Sequence, residues 1–170
     1  MHILWKEITE CLKDYPERLA VAKVLVENGL SVKNGKIFCD KLGVSAIEVG
    51  RVAKVDRRTV TKTIQTIEEN PELQVLFANI KPAGTSLREI ARYLKLGVVE
   101  ITPVNARTPG ILASSASLLA QREISIRQAI VDDPELSPEP KLVLIAEKEI
   151  PGDLIPDLLK VKGVSKVSIY

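Results

Sequence analysis

Two clusters of residues in this sequence could bind negatively charged groups, and the first is "AKVDRRTVTKTI", residues 53–64. Asp56 can accept hydrogen bonds from the free amides of a first helical turn, so the segment predicts a capped helix that begins with Arg57 and Arg58. Each arginine costs about 0.3–1 kcal/mol there, because a helix N-terminus already carries a partial positive charge. Stability alone does not explain this placement.

The second cluster is "NARTPGIL", residues 105–112. Thr108 is predicted to cap a helix, with Pro109 at its first position. Gly110 leaves space where a ligand could approach the free amides of the first turn, and the helix dipole there favours a carboxylate. The alternative is that Thr-Pro-Gly is only a good helix start.

Composition and length restrict the classes of function. The 170 residues suffice for one large or two small domains. Cys11 and Cys39 form no CxxC pair and His2 is the one histidine, so the sequence predicts no zinc site, no cofactor, no catalytic residue and no enzymatic activity. The apolar runs are too short to span a bilayer and no signal-peptide core is present, so we expect a cytoplasmic location without a membrane partner.

Charge is unevenly distributed along the chain. Residues 1–96 hold 16 basic and 12 acidic side chains, whereas residues 97–170 hold 8 basic and 10 acidic ones. Residues 51–62 alone hold five basic side chains against Asp56, which equals the whole positive excess of the first half. The basic character is therefore local.

Local signals predict the elements of the first half. Asn34-Gly35 predicts a hairpin because both residues tolerate positive φ, and "SAIE" at Ser45 is a capping box. In order, we predict helices over 3–13 and 17–28 with Gly29 as C-cap, the hairpin, a helix over 46–53, a helix from Asp56 to Asn70-Pro71, a strand over 73–80, and a helix from Ser86 to Leu96 capped by Gly97. The last helix should pack Leu87, Ile90, Ala91 and Leu94 inward.

The segment "EVGRVAKVDRRTVTKTI" resembles the helix-turn-helix of bacterial and archaeal transcription regulators. Its apolar positions are Val49, Ala53, Val55 and Val60, and Gly50 stands where the helices cross. Lys54 departs from the usual turn glycine and Thr63 from a larger apolar residue; a plain αα-hairpin stays the alternative. The resemblance implies double-stranded DNA as a partner, with these candidate contacts: Arg51, Lys54, Arg57, Arg58, Thr61 and Lys62.

From Gly97 onward the predicted order is strand, helix, strand, strand, helix, strand, which is the ferredoxin-like βαββαβ arrangement. The acidic "DDPELSPEP" between the two middle strands is predicted to be an exposed hairpin loop. The central strands "VVEITPV" and "KLVLIAE" lack the aromatics that stack on bases in RNA-binding versions. Asn105 and Arg107 leave open a small hydrolase of the acylphosphatase kind, although the glycine-rich pattern around them is missing.

The segment "NARTPGILASSASLLAQREISI" resembles the first loop and helix of an ACT domain, a regulatory module that binds amino acids. Arg107 departs from the Asp or Asn common in that position, and Asn105 could replace it. The resemblance implies side-by-side pairing of subunits, and a module used only for dimerisation is the alternative. Its candidate ligand-binding residues are Asn105, Arg107, Thr108, Pro109, Gly110, Ile111 and Leu112.

Together these features predict an α+β chain with three parts: a helix-turn-helix domain with a small hairpin over 1–72, a connecting strand and helix over 73–96, and an ACT-like domain over 97–170. The combination resembles archaeal proteins predicted to regulate amino-acid metabolism. It implies a homodimer, or a higher homo-oligomer, that binds DNA and a small amino-acid effector. The alternative from another class is a regulatory subunit that controls a biosynthetic enzyme without binding DNA.

Overall fold

The computed structural model describes residues 3–170, with side chains from Trp5 onward; His2 lies outside these residues. The chain is α+β, with helices and two antiparallel sheets. It divides into two compact units, Met1–Gly84 and Thr85–Tyr170. No helix within residues 3–170 has the length and apolar character needed to cross a membrane.

Within residues 3–84, the first unit holds five helices and a small sheet. In order they are α1 (Ile3–Leu12), α2 (Pro16–Glu27), β1 (Leu30–Lys33), β2 (Lys36–Cys39), β3 (Leu42–Val44), α3 (Ala46–Ala53), α4 (Arg57–Glu69) and α5 (Pro71–Asn79). The β1–β2 hairpin is confirmed, since Asn34 and Gly35 have φ of 51° and 70°, as a type I′ turn requires. β3 adds a strand that the sequence analysis missed.

Apolar side chains from the helices meet in the core of the first unit. Its buried members include Ile8, Leu12, Val21, Leu25, Val49, Val60, Ile64, Ile67, Leu73 and Phe77. Val60, Ile64 and Ile67 therefore form the buried face of α4. Thr63, also fully buried, donates its hydroxyl to the carbonyl of Thr59 at 2.8 Å, so this polar side chain is satisfied within the core.

The strand predicted over Leu73–Ile80 is wrong, because these residues belong to α5 and its C-cap. Asn70 caps this helix: its Oδ1 accepts from the amides of Glu72 at 3.0 Å and Leu73 at 3.1 Å. Pro71 has the fixed φ that suits the first helical position. Asn70-Pro71 thus ends one helix and starts another.

The second unit contains β4 (Gly97–Pro103), α6 (Ile111–Gln121), β5 (Ile126–Val131), β6 (Leu142–Ala146), α7 (Ile155–Leu159) and β7 (Val164–Ile169). Its sheet has the order β5-β6-β4-β7 with antiparallel neighbours, which is the ferredoxin-like order. Helix residues such as Ile111, Leu119 and Leu158 pack with Val99, Ile101, Leu142 and Leu144 in the main core of this unit.

The other face of this sheet is partly covered by residues 85–96, which we call the strap. The predicted continuous helix is wrong: two short 3-10 helices, Arg88–Ile90 and Arg92–Leu94, occupy the strap, and Lys95 turns the chain with φ of 56°. Ala91 is buried as predicted, whereas Ile90 and Leu94 are 44% and 48% exposed. The predicted inward stripe assumes the 3.6 residues per turn of an α-helix. A 3-10 helix has three residues per turn, so its apolar side chains do not share one face at that spacing.

Gly97 does not cap that segment but opens β4. A Cβ at Gly97 would lie 2.5 Å from the carbonyl oxygen of Lys148, so the strand start requires a glycine for close packing.

Candidate functional site

The turn between α3 and α4 is tight. Ser45 Oγ accepts from the amide of Glu48 at 3.2 Å, which fixes the start of α3 as the capping box predicts. Lys54 ends α3 in the left-handed region with φ of 58°, and the amide of Val55 donates to the carbonyl of Gly50 at 2.9 Å. A Cβ at Gly50 would lie 2.8 Å from the oxygen of Val55. This residue must therefore be small for α3 to meet the turn.

The start of α4 is capped as predicted. Asp56 Oδ1 accepts from the amide of Thr59 at 2.7 Å. This hydrogen bond is the main reason that the pKa of Asp56 lies below its ordinary value, with a smaller contribution from the charge of Arg58. The cap satisfies one of the amides that the first turn leaves free.

Four exposed residues at the start of α4, together with Asp56, line one concave surface. These four, which we call the basic face, are Arg57, Arg58, Thr61 and Lys62. The ion pairs between described residues of the first unit are Lys13–Glu10, Lys23–Glu27 and Arg51–Glu48. The three cations of the basic face take part in none of these.

Packing behind the basic face fixes the rotation of α4. Val60, Ile64 and Ile67 are buried on the opposite side. Arg18 of α2 donates to the hydroxyl of Thr66 at 3.1 Å. The structure thus brings four of the six predicted DNA contacts onto one exposed surface.

The other two predicted contacts, Arg51 and Lys54, lie outside this concave surface. Both side chains are exposed, and Arg51 pairs with Glu48 at 2.7 Å. Thr61 lies in the basic face, but its hydroxyl donates to the carbonyl of Arg57 at 3.0 Å. Arg57, Arg58 and Lys62 therefore remain the cations best placed to meet an external anion.

A cavity of about 170 Å³ in the second unit lies at the loop that joins β4 to α6. One side is formed by that loop and the start of α6, and the other by the ends of β5 and β6 and the loop between them. The lining residues are Pro103, Ala106, Thr108, Gly110, Ile111, Leu112, Val131, Asp132, Pro140, Lys141 and Leu142.

The helix start beside this cavity differs from the prediction. α6 begins at Ile111, so Pro109 is not its first residue and Thr108 is not its cap. Gly110 precedes the helix with φ of 92°, and no side chain caps the first turn. Glycine fits this left-handed position at little cost, and a Cβ there would meet no atom within 4 Å.

The predicted ligand residues divide into two groups. Thr108, Gly110, Ile111 and Leu112 line the cavity, whereas Asn105, Arg107 and Pro109 do not. Asn105 Oδ1 instead accepts from the amide of Arg107 at 2.9 Å, and the Arg107 guanidinium lies 3.9 Å from the carboxylate of Glu135.

The residues of the opposite wall of the cavity are not among those predicted from the sequence. Asp132 and Pro140 belong to the acidic segment that the sequence predicts to be an exposed loop, and Val131, Lys141 and Leu142 flank it. The β4–β6 pairing, in which Ile101 lies opposite Leu142, brings these residues beside the loop that leads from β4 to α6. The proline-rich composition of the segment gave no signal for this placement.

A buried carboxylate stands next to the cavity wall. Glu100 of β4 has a side chain that is 7% exposed, and its Oε1 accepts from Lys141 Nζ at 2.8 Å. Its other oxygen pairs with Arg88 of the strap. The hydrogen bond from Lys141 is the main cause that holds the pKa of Glu100 below its ordinary value, against the opposing effect of burial.

The described residues contain no disulfide bond and no cluster of potential metal ligands. Cys11 and Cys39 are free thiols. Among residues 3–170, no group of three or more His, Cys, Asp or Glu side chains is placed to hold a metal ion.

Comparison with known proteins gives weak likenesses. No protein-family model and no curated protein matches the sequence. Solved structures similar to this chain include the crystal structure of PH0061, at 14% identity and a TM-score of 0.27, with 90% of this chain and 88% of that chain covered. Another is E. coli AsnC, at 11% identity and a TM-score of 0.24, with 91% and 87% covered. At TM-scores this low, neither likeness supports a conclusion about function.

Proposed function

We propose that the chain is a DNA-binding transcription regulator of amino-acid metabolism, with α4 as its recognition helix. The observation that carries the proposal is the basic face: Arg57, Arg58 and Lys62 lie exposed at the start of a helix whose opposite side is buried. Their charges oppose the helix dipole, and the binding of an external anion would offset the part of this cost that Asp56 does not.

DNA fits both the charge and the dimensions of this surface. α4 has 13 residues and is about 20 Å long, and the major groove admits a helix. Its N-terminal residues would contact base edges or phosphates, with arginine able to bind guanine or phosphate through two parallel hydrogen bonds. Arg51 and Lys54 would add contacts to the backbone.

The second unit is proposed to bind a small amino-acid effector in the cavity near Gly110. The uncapped amides at the start of α6 favour a carboxylate, and the apolar walls favour a small side chain. Asn105, Arg107 and Pro109 belong to this proposal only as neighbours of the cavity. A homodimer would present two recognition helices, and the effector would change their fit to two half-sites.

The DNA-binding proposal is tested by fluorescence anisotropy on full-length protein with Arg58→Ala and a matched control, Lys23→Ala. Lys23 is an exposed cation of the same unit, and its ion pair with Glu27 is long at 3.6 Å. We expect wild-type affinity to fall steeply with salt, because phosphate contacts release counterions. Arg58→Ala should weaken binding at least about fivefold while Lys23→Ala leaves it unchanged.

Equal losses in both variants would contradict the role given to Arg58. Absence of DNA binding at low salt would overturn the proposal and favour the regulatory subunit of a biosynthetic enzyme.

The effector proposal is tested by a thermal-shift screen with each standard L-amino acid. A ligand that binds only the folded state raises the melting temperature. Gly110→Ala should abolish the shift, whereas Gly35→Ala should retain it. Gly35 is a matched control because it too has a positive φ, and a Cβ there would also meet no atom within 4 Å, but it lies in the first unit. If no amino acid raises the melting temperature, the effector proposal fails, and the alternative of a unit used only for dimerisation is favoured.

A further inference from the structure

The strap is fastened to the sheet of the second unit by two polar side chains. Gln128 of β5 accepts from the amide of Leu87 at 2.9 Å and donates to the carbonyl of Thr85 at 2.7 Å. Arg88 of the strap binds the buried carboxylate of Glu100. Apolar contacts around Ala91 complete the attachment.

Glu100 also binds a residue of the cavity wall. Lys141 lines the cavity, and its ammonium donates to Oε1 of Glu100 at 2.8 Å. The exposed carboxylate of Glu139 lies 3.5 Å from the same ammonium. One buried carboxylate is therefore shared by a cation of the cavity wall and a cation of the strap.

We propose that Glu100 couples the cavity to the strap, so that an anionic ligand group in the cavity tightens the strap. Ligand identity rests on the proposed function, whereas the coupling itself is a property of the unliganded chain.

The sign of the coupling follows from charge. Lys141 and Arg88 bind the two oxygens of the same carboxylate, and their positive charges repel each other while both bind Glu100. A ligand carboxylate that draws the Lys141 ammonium toward the cavity removes this repulsion. Glu100 is then held by Arg88 alone, and the strap binds the sheet more firmly.

The strap is also the start of the second unit. Thr85 directly follows Gly84, the last residue of the first unit. A change in the order of the strap thus changes the freedom of the chain that joins the proposed DNA-binding and effector units. This gives the effector a route to the first unit without a conformational change in the sheet.

Hydrogen exchange on full-length protein tests the coupling. The reporters are the amides of Leu87, Ala91, Leu94 and Leu96, which have hydrogen bonds in or beside the strap. Glu100→Gln should speed their exchange at least about fivefold, because it removes the charge that holds Arg88. Lys141→Met should slow their exchange at least about threefold, as an occupied cavity would.

Lys160→Met is the matched control, since it removes another lysine–carboxylate pair of the same unit, Lys160–Asp157 at 3.0 Å, and should leave the strap unchanged. Opposite effects of the Glu100 and Lys141 variants support the coupling. If Lys141→Met leaves strap exchange unchanged or speeds it, the coupling is overturned, because a merely structural lysine would behave in that way.

The same reporters separate this inference from the proposed function. Any L-amino acid that raises the melting temperature should slow strap exchange in the wild type and have no effect on it in Lys141→Met; a bound amino acid without this difference overturns the inference. If no amino acid binds, the effector proposal fails, and the comparison of unliganded variants still decides the coupling.

Discussion

Arg57, Arg58 and Lys62 in the first unit lie in solvent and take part in none of the ion pairs of the described residues, whereas Arg88 and Lys141 in the second unit both bind the buried carboxylate of Glu100. The first arrangement costs little desolvation but opposes the helix dipole. The second depends on Glu100 keeping a cationic partner, because a buried carboxylate left unpaired is strongly unfavourable. The contrast is therefore between three exposed cations outside the ion pairs of the described residues and two cations that share one buried carboxylate.

The largest expected effect comes from reversing the charge of the basic face. Arg57→Glu with Arg58→Glu should lower DNA affinity at least about 30-fold, since each arginine contact contributes about 1–3 kcal/mol. The same variant should unfold at a slightly higher temperature, because acidic residues in the first turn stabilise a helix. Anisotropy and thermal unfolding measure the two effects.

Lys33→Glu with Lys36→Glu is the control, because these exposed hairpin residues give the same change in net charge within the same unit. If the control weakens DNA binding as much, net charge rather than the basic face determines affinity, and the comparison between the units loses its basis.

A smaller effect is expected from Glu100→Gln, which we predict destabilises the second unit by about 2–3 kcal/mol at neutral pH. The folded-state pKa of Glu100 is lowered. Its ionised form therefore contributes stability above the ordinary Glu pKa, and this contribution is lost as pH falls through the folded pKa. The difference in unfolding free energy between wild type and Glu100→Gln should therefore become smaller below about pH 4.

Urea unfolding followed by NMR signals of β4 at several pH values measures this difference. Glu147→Gln serves as the comparison, because Glu147 is exposed and its pair with Arg127 is long at 3.8 Å. If the difference in unfolding free energy between wild type and Glu100→Gln does not change with pH, the charge of Glu100 does not stabilise the second unit.

The smallest expected effect concerns Lys54, an exposed cation of the first unit that lies outside the basic face. Lys54 has a left-handed backbone, so Lys54→Gly should stabilise the first unit by about 0.5–1 kcal/mol. It should also weaken DNA binding and reduce the slope of log affinity against log salt by about one unit, if Lys54 contacts a phosphate.

Lys95→Gly is the matched variant, since Lys95 has a similar φ of 56° but lies in the strap. It should relieve the same strain without changing the affinity for DNA. A Lys54→Gly variant with unchanged affinity and salt slope would remove Lys54 from the proposed interface.

Much of the first unit follows from local signals in the sequence. Ser45 and Asp56 mark the starts of α3 and α4, and Asn34-Gly35 marks the hairpin, because caps and turns depend on a few neighbouring residues. For α5 the prediction is wrong, because Asn70-Pro71 is interpreted only as the end of α4 and not also as the start of the next helix. Leu73 and Phe77 have helical spacing, so the signal is present.

The cavity can be predicted only in part. Gly110 and the residues after it are adjacent in the sequence, and their types suggest a ligand. Asp132 and Lys141 reach the same cavity through strand register, which sequence spacing does not reveal. The pairing of Glu100 with Arg88 depends on the fold of the strap, for which the sequence predicts a continuous helix.

Asn70 is both the C-cap of α4 and the N-cap of α5. Its backbone amide donates to the carbonyl of Thr66, and its side chain accepts from two amides of α5. A fluctuation that frays the last turn of α4 would also release the first turn of α5. The two helices are therefore expected to open as one cooperative segment. Contacts made at the start of α4 would then reduce fluctuations as far along the chain as Asn79.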